Sequence, residues 1–178
     1  PTDFSEESKY GLKLAHDIAK NNDQSILLVH IVYPDQLKSF SPGGDVFKKQ
    51  SNEMFRIRRI KEQNKENFDK ILQDYEDSKV KIKPQVVVNS FEDAINKHIS
   101  RHDVNLVVMG STGKTSIFEY FVGDYAERVL KISDCPVITT KKSVESYSIN
   151  NTAIAVDLDN TDISGLQKFR EFTKNYNA

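Results

Sequence analysis

The sequence contains no tryptophan, two methionines and one cysteine, Cys135, among its 178 residues. A single cysteine excludes an intrachain disulfide, so the sequence favours a reducing, cytoplasmic compartment. No apolar run approaches the ~20 residues that a membrane-spanning helix needs. We therefore expect no membrane partner.

An excess of charge of one sign is missing too. The 25 basic and 26 acidic residues leave a formal net charge of -1. Proteins that bind nucleic acid usually concentrate positive charge on one face, and this balance does not favour such a partner. Hydrophobic residues make up 38% of the chain and charged residues 29%, a composition that can bury a core.

Strand and helix patterns alternate through the first 140 residues. Strand patterns occur at 25–32, 80–88, 104–109 and 136–140, and the apolar run at 25–32 shows little alternation, which is typical of a strand covered on both faces. Helical periodicity occurs at 5–20, 49–75, 91–102 and 117–132, with an interruption at Gly123. This order predicts an α/β fold with an open parallel sheet and helices on both faces.

The end of the chain repeats its beginning. Shifted by 154 positions, Asp3 falls on Asp157 and Gly11 falls on Gly165. A strand pattern, Ala153–Leu158, precedes the aspartate only in the second copy, and a helix pattern over 163–176 follows it. We therefore predict three segments: a domain over 1–142 that lacks its first strand, a polar linker over 143–152, and the first strand and helix of a second, incomplete domain over 153–178.

A missing inner strand has a physical consequence. Two rows of backbone donors and acceptors would lose their partners. We expect this slot to be filled by the same chain or by a neighbouring one, and Ala153–Leu158 is a candidate filler.

Three glycines follow the strand that ends at Met109: Gly110, Gly113 and Gly123. Ligands of open α/β sheets bind beyond the carboxyl ends of the strands, where glycines let backbone amides approach a phosphate. A P-loop would need a glycine where Val108 stands, and the dinucleotide fingerprint has a different spacing. The glycines therefore indicate either another kind of phosphate site or only a tight turn.

The spacing of these glycines, with Ser133–Val137 after them, resembles the universal stress protein family. Pro1–Ser5 and Leu28–Val32 are similar to the family's first strand exit and second strand. The resemblance covers residues 1 to about 142 and resumes at 153, as in tandem members of the family. It implies a stress-response regulatory protein without enzymatic activity. Its sheet would be Rossmann-like (adenine nucleotide alpha hydrolase-like), and it would form a homodimer or pseudo-dimer through the last strand.

In the nucleotide-binding branch of the family, the resemblance implies ATP, with or without Mg²⁺. The residues themselves indicate no catalytic constellation and no metal-ligand set. Carried over by position, the nucleotide site comprises Thr2, Asp3, Ile31, Met109, Gly110, Gly113, Gly123, Asp124 and Tyr125.

Asp124 departs from the family pattern, which places serine or threonine after the last glycine. A carboxylate repels a phosphate, at a cost of ~1 kcal/mol in water and ~4 kcal/mol at an effective dielectric constant of 20. It can also cap the following helix itself. Two functions stay open: an ATP-responsive module and a dimerisation module that binds no nucleotide. A third, an adenosine-handling transferase, ranks lowest because the sequence shows no catalytic constellation.

Overall fold

The computed structural model describes residues 1–34, 49–111, 124–143, 151–155 and 163–175. Within these ranges the predicted helices and the four strands up to residue 140 are confirmed, with small differences at their ends. The first part of the helix predicted over 117–132 lies outside the described residues, and 153–155 of the strand predicted over 153–158 belong to no strand. In chain order, the elements are α1 (Glu6–Asn21), β1 (Ile26–Val32), α2 (Lys49–Leu72) with a 3-10 turn (Gln73–Tyr75), β2 (Ile82–Val88), α3 (Phe91–Arg101), β3 (Val107–Gly110), α4 (Asp124–Ile132), β4 (Val137–Thr140) and α5 (Ile163–Asn175).

The four strands of the described residues form two parallel pairs. β1 pairs with β2, with Ile26 opposite Ile82, and β3 pairs with β4, with Val107 opposite Val137. None of the helices in the described ranges has the length and apolarity that a bilayer crossing requires.

Helices cover both faces of this sheet, as the sequence predicts. On one face, Leu12 of α1 and Phe68 of α2 pack with Leu28 of β1 in a buried cluster. On the other face, α3 and α4 enclose a second cluster with β3, formed by Phe91, Ile95, Val107, Met109, Ala126 and Val129. Serine side chains fix the start of two helices. Ser5 Oγ accepts from the Ser8 amide at 3.2 Å, and Ser90 Oγ accepts from the Asp93 amide at 3.3 Å.

A slot separates the two strand pairs. The Ile26 amide donates to the Lys81 carbonyl across the β1–β2 pair, so the peptide groups of Leu27, Val29 and Ile31 face the other way. On β3, the Val107 amide donates to the Pro136 carbonyl, so the peptide groups of Val108 face away from β4. A cavity of about 350 Å³ lies between these two edges, lined by residues of both.

The expectation that Ala153–Leu158 fills this slot is not supported by the residues described. Residues 151–155 are exposed and belong to no strand, and 156–158 lie outside the described part of the chain. Within the described ranges, no strand lies between β1 and β3. The second, incomplete domain over 153–178 stays a prediction, although its predicted helix is present as α5.

Helix α1 crosses β3 at very short range because glycines meet at the crossing. A Cβ atom at Gly11 would lie 2.5 Å from the Gly110 nitrogen, and a Cβ atom at Gly110 would overlap the Glu7 carbonyl. This crossing sets the distance between the start of α1 and the end of β3.

We predict that Gly110→Ala lowers the free energy of unfolding by about 1–3 kcal/mol, since the added methyl group must push the Glu7 backbone away. Urea unfolding, followed by circular dichroism, measures the change.

Gly165→Ala is the matched control. No atom lies within 4 Å of a Cβ atom at Gly165 in α5. Because alanine favours a helix over glycine by up to ~1 kcal/mol, this variant should be as stable as the parent or more so. An equal decrease in the free energy of unfolding in both variants would contradict the close approach of α1 to β3.

Candidate functional site

A second cavity, of about 330 Å³, opens at the carboxyl ends of β1 and β3. Six of the nine predicted site residues line it: Thr2, Asp3, Ile31, Met109, Gly110 and Tyr125. Gly113 and Gly123 lie outside the described residues, and Asp124 is placed only by its backbone, as the first residue of α4. Four separate segments of the chain therefore converge on one cavity, where the sequence predicts a site.

Thr2 attaches the first residues of the chain to this cavity. Its side chain is buried, and its amide donates to the Val29 carbonyl on β1 at 2.8 Å. Its hydroxyl accepts from the Phe4 amide at 3.0 Å and lies 3.0 Å from Ser8 Oγ on α1. His30 Nδ1 donates to the Thr2 carbonyl at 2.8 Å. The segment before α1 is thereby fixed to both β1 and α1.

Phe4 turns the chain from this segment into α1. Its φ of 66° is in the left-handed region, which a non-glycine residue adopts at a cost. Packing offsets that cost, because the ring lies 4.5 Å from the His30 ring and edge-on to Phe68 at 5.1 Å. This turn places the Asp3 side chain beside Ser5, the N-cap residue of α1.

Asp3 is held by the residue that caps α1. Its Oδ1 accepts from the Ser5 amide at 3.0 Å and from the Ser5 hydroxyl at 2.5 Å. Partial burial acts to raise the pKa of Asp3, but hydrogen bonds from the Ser5 hydroxyl and amide, with smaller ones from Ser8 and the Asp3 backbone, together lower the pKa below its ordinary value. Asp3 therefore carries a negative charge at neutral pH and accepts hydrogen bonds in the cavity wall.

Aromatic residues form the opposite wall. The Tyr125 ring lies 4.8 Å from the Phe91 ring, and the Tyr33 hydroxyl donates to the Tyr125 hydroxyl at 3.4 Å. The Arg128 guanidinium lies over both Phe91 and Tyr125, at 5.3 and 5.2 Å. Its Nε donates to Glu92 Oε1 at 2.5 Å, which links the first turn of α3 to α4.

The structure adds residues that the sequence interpretation did not include. Tyr33 follows β1 directly and Ser111 follows β3 directly, so the rule that ligands bind beyond strand ends indicates both. His30 and Phe91 also line the cavity. The contribution of Phe91 depends on the packing of α3 beside α4, for which the sequence alone offers no local signal.

The open parallel α/β sheet, with helices on both faces and a cavity at the carboxyl ends of its strands, defines a Rossmann-like α/β domain. The universal stress protein family model matches residues 1–141, and the chain belongs to that family.

Two universal stress proteins of Methanocaldococcus jannaschii are similar in sequence. MJ0577 is 28% identical over 153 residues, which cover 80% of this chain and 92% of that protein. MJ0531 is 31% identical over 142 residues, which cover 80% of this chain and 79% of that protein.

Solved structures agree with this fold. The structure of MJ0577 superposes with a TM-score of 0.62 and 28% identity, over 82% of this chain and 94% of that one. Universal stress protein UspA from Lactobacillus plantarum superposes with a TM-score of 0.55 over 79% of this chain and 94% of that one. At 17% identity, the second comparison shows the fold alone.

We predict that the pKa of the Asp3 carboxyl group lies below that of an ordinary aspartate in an NMR pH titration. Because the pKa is lowered in the folded state, the charge stabilises the fold above the unfolded pKa. This contribution is lost as the pH falls through the folded pKa.

The control for this titration is Ser5→Ala, which removes the hydroxyl donor to Asp3. The pKa of Asp3 should then rise toward its ordinary value. An unchanged pKa in this variant would show that Ser5 does not stabilise the carboxylate.

Proposed function

We propose that this stress protein is a regulatory module that binds an adenine nucleotide, ATP with or without Mg²⁺, in the cavity at the carboxyl ends of β1 and β3. The observation that carries the proposal is the convergence of Thr2–Asp3, Ile31 and Met109–Gly110 on this single cavity. These are the positions at which the family resemblance expects the nucleoside and the start of the phosphate loop. A volume of about 330 Å³ lies within the usual range for small-molecule sites.

The adenine end of the nucleotide fits the edge of β1. The peptide groups of Ile31 face away from β2, and no backbone partner within the described residues engages them. A base bound there meets one donor and one acceptor at fixed positions. The Ile31 and Met109 side chains line the same cavity and supply apolar contact to the ring.

The ribose fits beside Asp3. A charged carboxylate is the strongest acceptor for a sugar hydroxyl, and Ser5 holds this one in place. The cavity therefore offers the hydrogen-bonding groups of a nucleoside site before any phosphate is considered.

The phosphates fit the start of α4. The first amides of a helix have no partner inside it and attract anions. Tyr125 and Ala126, in the first turn of α4, line the cavity. Asp124 begins this helix, so its charge opposes a phosphate at the same place. We propose that Asp124 weakens ATP binding and that Mg²⁺ offsets part of the repulsion.

We predict that ATP binds the intact chain and that Asp124→Ser strengthens binding by one to three powers of ten. The gain follows from removing a repulsion of ~1–4 kcal/mol. Isothermal titration calorimetry with and without Mg²⁺ measures it, and the gain should be larger without the ion.

Asp134→Ser is the matched control, because it removes the same charge from an exposed position after the far end of α4. Its ATP affinity should equal that of the parent. If neither the parent nor Asp124→Ser binds ATP at millimolar concentration, the nucleotide proposal fails. The dimerisation module that binds no nucleotide is then the better interpretation.

We also propose that two copies pair through β4. Within the described ranges β4 has one neighbour, β3, so one of its edges is unpaired. The Thr140 carbonyl accepts from the Ser111 amide on the β3 side, and the peptide groups of Thr139 therefore point outward. A second copy that adds its own β4 there would continue the sheet.

We predict that Thr139→Pro weakens dimerisation and leaves the fold intact. Proline removes an outward amide that β3 does not use, and an edge strand tolerates it. Analytical ultracentrifugation reports the dimer and circular dichroism reports the fold. Thr139→Val, which keeps the amide, is the control. Equal dimer fractions in both variants would show that the β4 edge is not the interface.

A further inference from the structure

The end of α3 carries two histidine side chains whose rings lie side by side. His98 and His102 are four residues apart, which is the spacing at which two histidines on one helix face bind zinc. In the structure their ring centres are 5.6 Å apart and their planes differ by 26°. The centre of an imidazole ring lies about 3.2 Å from an ion bound to its nitrogen, so rings at this separation can share one ion.

The ring of His98 is held in an orientation that suits a metal ligand. Its Nδ1 lies 2.6 Å from the Ala94 carbonyl oxygen, which can only accept, so Nδ1 carries a proton and donates it. In the neutral ring, Nε2 then carries a lone pair. Histidine ligands of metal ions almost always donate their second ring nitrogen to a carbonyl or carboxylate group or to water, which fixes the ring.

A third donor atom approaches His98 from β2. Gln85 Oε1 lies 3.0 Å from His98 Nε2. When the ring is neutral both atoms are acceptors, so either the Gln85 amide turns to donate an N–H group, or a proton or a metal ion stands between them. Two ligands at neighbouring positions of one ion, each ~2.1 Å from it, are themselves ~3 Å apart. The observed separation therefore matches that of two ligands on one metal ion.

The position of the pair on the helix favours a cation. The last carbonyl groups of a helix lack partners inside it and carry partial negative charge. His102 is the C-cap residue of α3, so the pair lies at this end. Asp103 and Lys83 line the same cavity as the two histidines with opposite charges, so the ring nitrogens decide which ion binds.

The donor atoms define the class of ion. Imidazole nitrogen suits Zn²⁺, Ni²⁺ and Cu²⁺, whereas Mg²⁺ takes oxygen ligands. Within the described ranges, no group of three or more histidine, cysteine, aspartate or glutamate side chains could hold a metal ion. Water would therefore complete the coordination of an ion held by two imidazoles and one carboxamide. The third donor is invisible in the sequence because Gln85 belongs to another element.

We propose that His98, His102 and Gln85 bind one divalent transition-metal ion of the Zn²⁺, Ni²⁺ and Cu²⁺ group, which joins the end of α3 to β2. This inference is independent of the proposed nucleotide site, because its test involves no nucleotide.

The test titrates Zn²⁺ into the intact chain and follows binding by calorimetry and by NMR of the imidazole groups. His98→Gln and His102→Gln should each weaken Zn²⁺ binding about tenfold or more, because each removes a ligand. His16→Gln is the matched control, since the His16 ring lies on α1 with its Nε2 2.6 Å from Ser78 Oγ. Its Zn²⁺ affinity should equal that of the parent.

Three results would overturn the proposal: no binding by the parent at millimolar Zn²⁺, an undiminished affinity in His98→Gln and His102→Gln, or an equal loss in His16→Gln. Circular dichroism verifies that each variant is folded. Mg²⁺ is titrated in parallel and should leave the imidazole signals unchanged. An equal affinity for Mg²⁺ would show that charge alone attracts the ion, which also contradicts the proposed site.

The role of Gln85 is tested separately. Gln85→Leu keeps both imidazoles and should weaken Zn²⁺ binding about threefold or more, since one donor is lost. An unchanged affinity would overturn the assignment of Gln85 as the third ligand.

Zn²⁺ should also raise the urea midpoint of the parent, because an ion that binds the native arrangement stabilises it. His102→Gln should lose this increase. An equal increase in both proteins would place the ion elsewhere and overturn the proposal.

Discussion

The hydrogen bond from the Thr2 amide to the Val29 carbonyl attaches the start of the chain to the open edge of β1. Because Thr2 is fixed, Phe4 can pack between His30 and Phe68 and accept its left-handed backbone. Asp3 is then placed beside Ser5, so the position of the carboxylate in the cavity depends on this bond. A side chain in the site is thus positioned by a backbone contact of its neighbour.

The two ends of the proposed nucleotide site differ in their electrostatics. At the nucleoside end, the Asp3 charge is satisfied by Ser5 and suits a neutral hydroxyl. At the phosphate end, the favourable field of the first turn of α4 meets the charge of Asp124. Arg128 does not supply the missing positive charge freely, because it is paired with Glu92 and lies over two aromatic rings. The affinity for a nucleotide therefore depends on the difference between the attraction of its phosphates to the first turn of α4 and their repulsion by Asp124.

The sequence predicted the elements well because their signals are local. Apolar runs and helical periodicity each involve neighbours along the chain, and the structure confirms the elements that they predict within the described residues. The serine caps of α1 and α3 are local in the same sense, because Ser5 and Ser90 bond to amides three residues ahead. The family resemblance implied that Thr2, Ile31 and Met109 belong to one site, and in the structure these three residues line one cavity. The positions of the remaining site residues depend on which helices pack side by side. The Arg128 guanidinium of α4 lies over the Phe91 ring of α3 for this reason. The internal repeat identified a strand-like sequence at Ala153–Leu158 but contained no information on where it lies in space.

Pro1 lines both the slot between the strand pairs and the cavity at their carboxyl ends. Two sites that share a wall residue are coupled whenever binding at one restricts that residue, and thermodynamic linkage makes the coupling equal in both directions. A ligand of the slot that orders Pro1–Asp3 lowers the entropy cost of a ligand beside Asp3 that needs the same residues ordered. Any molecule bound beside Asp3 must, by the same amount, favour a ligand in the slot.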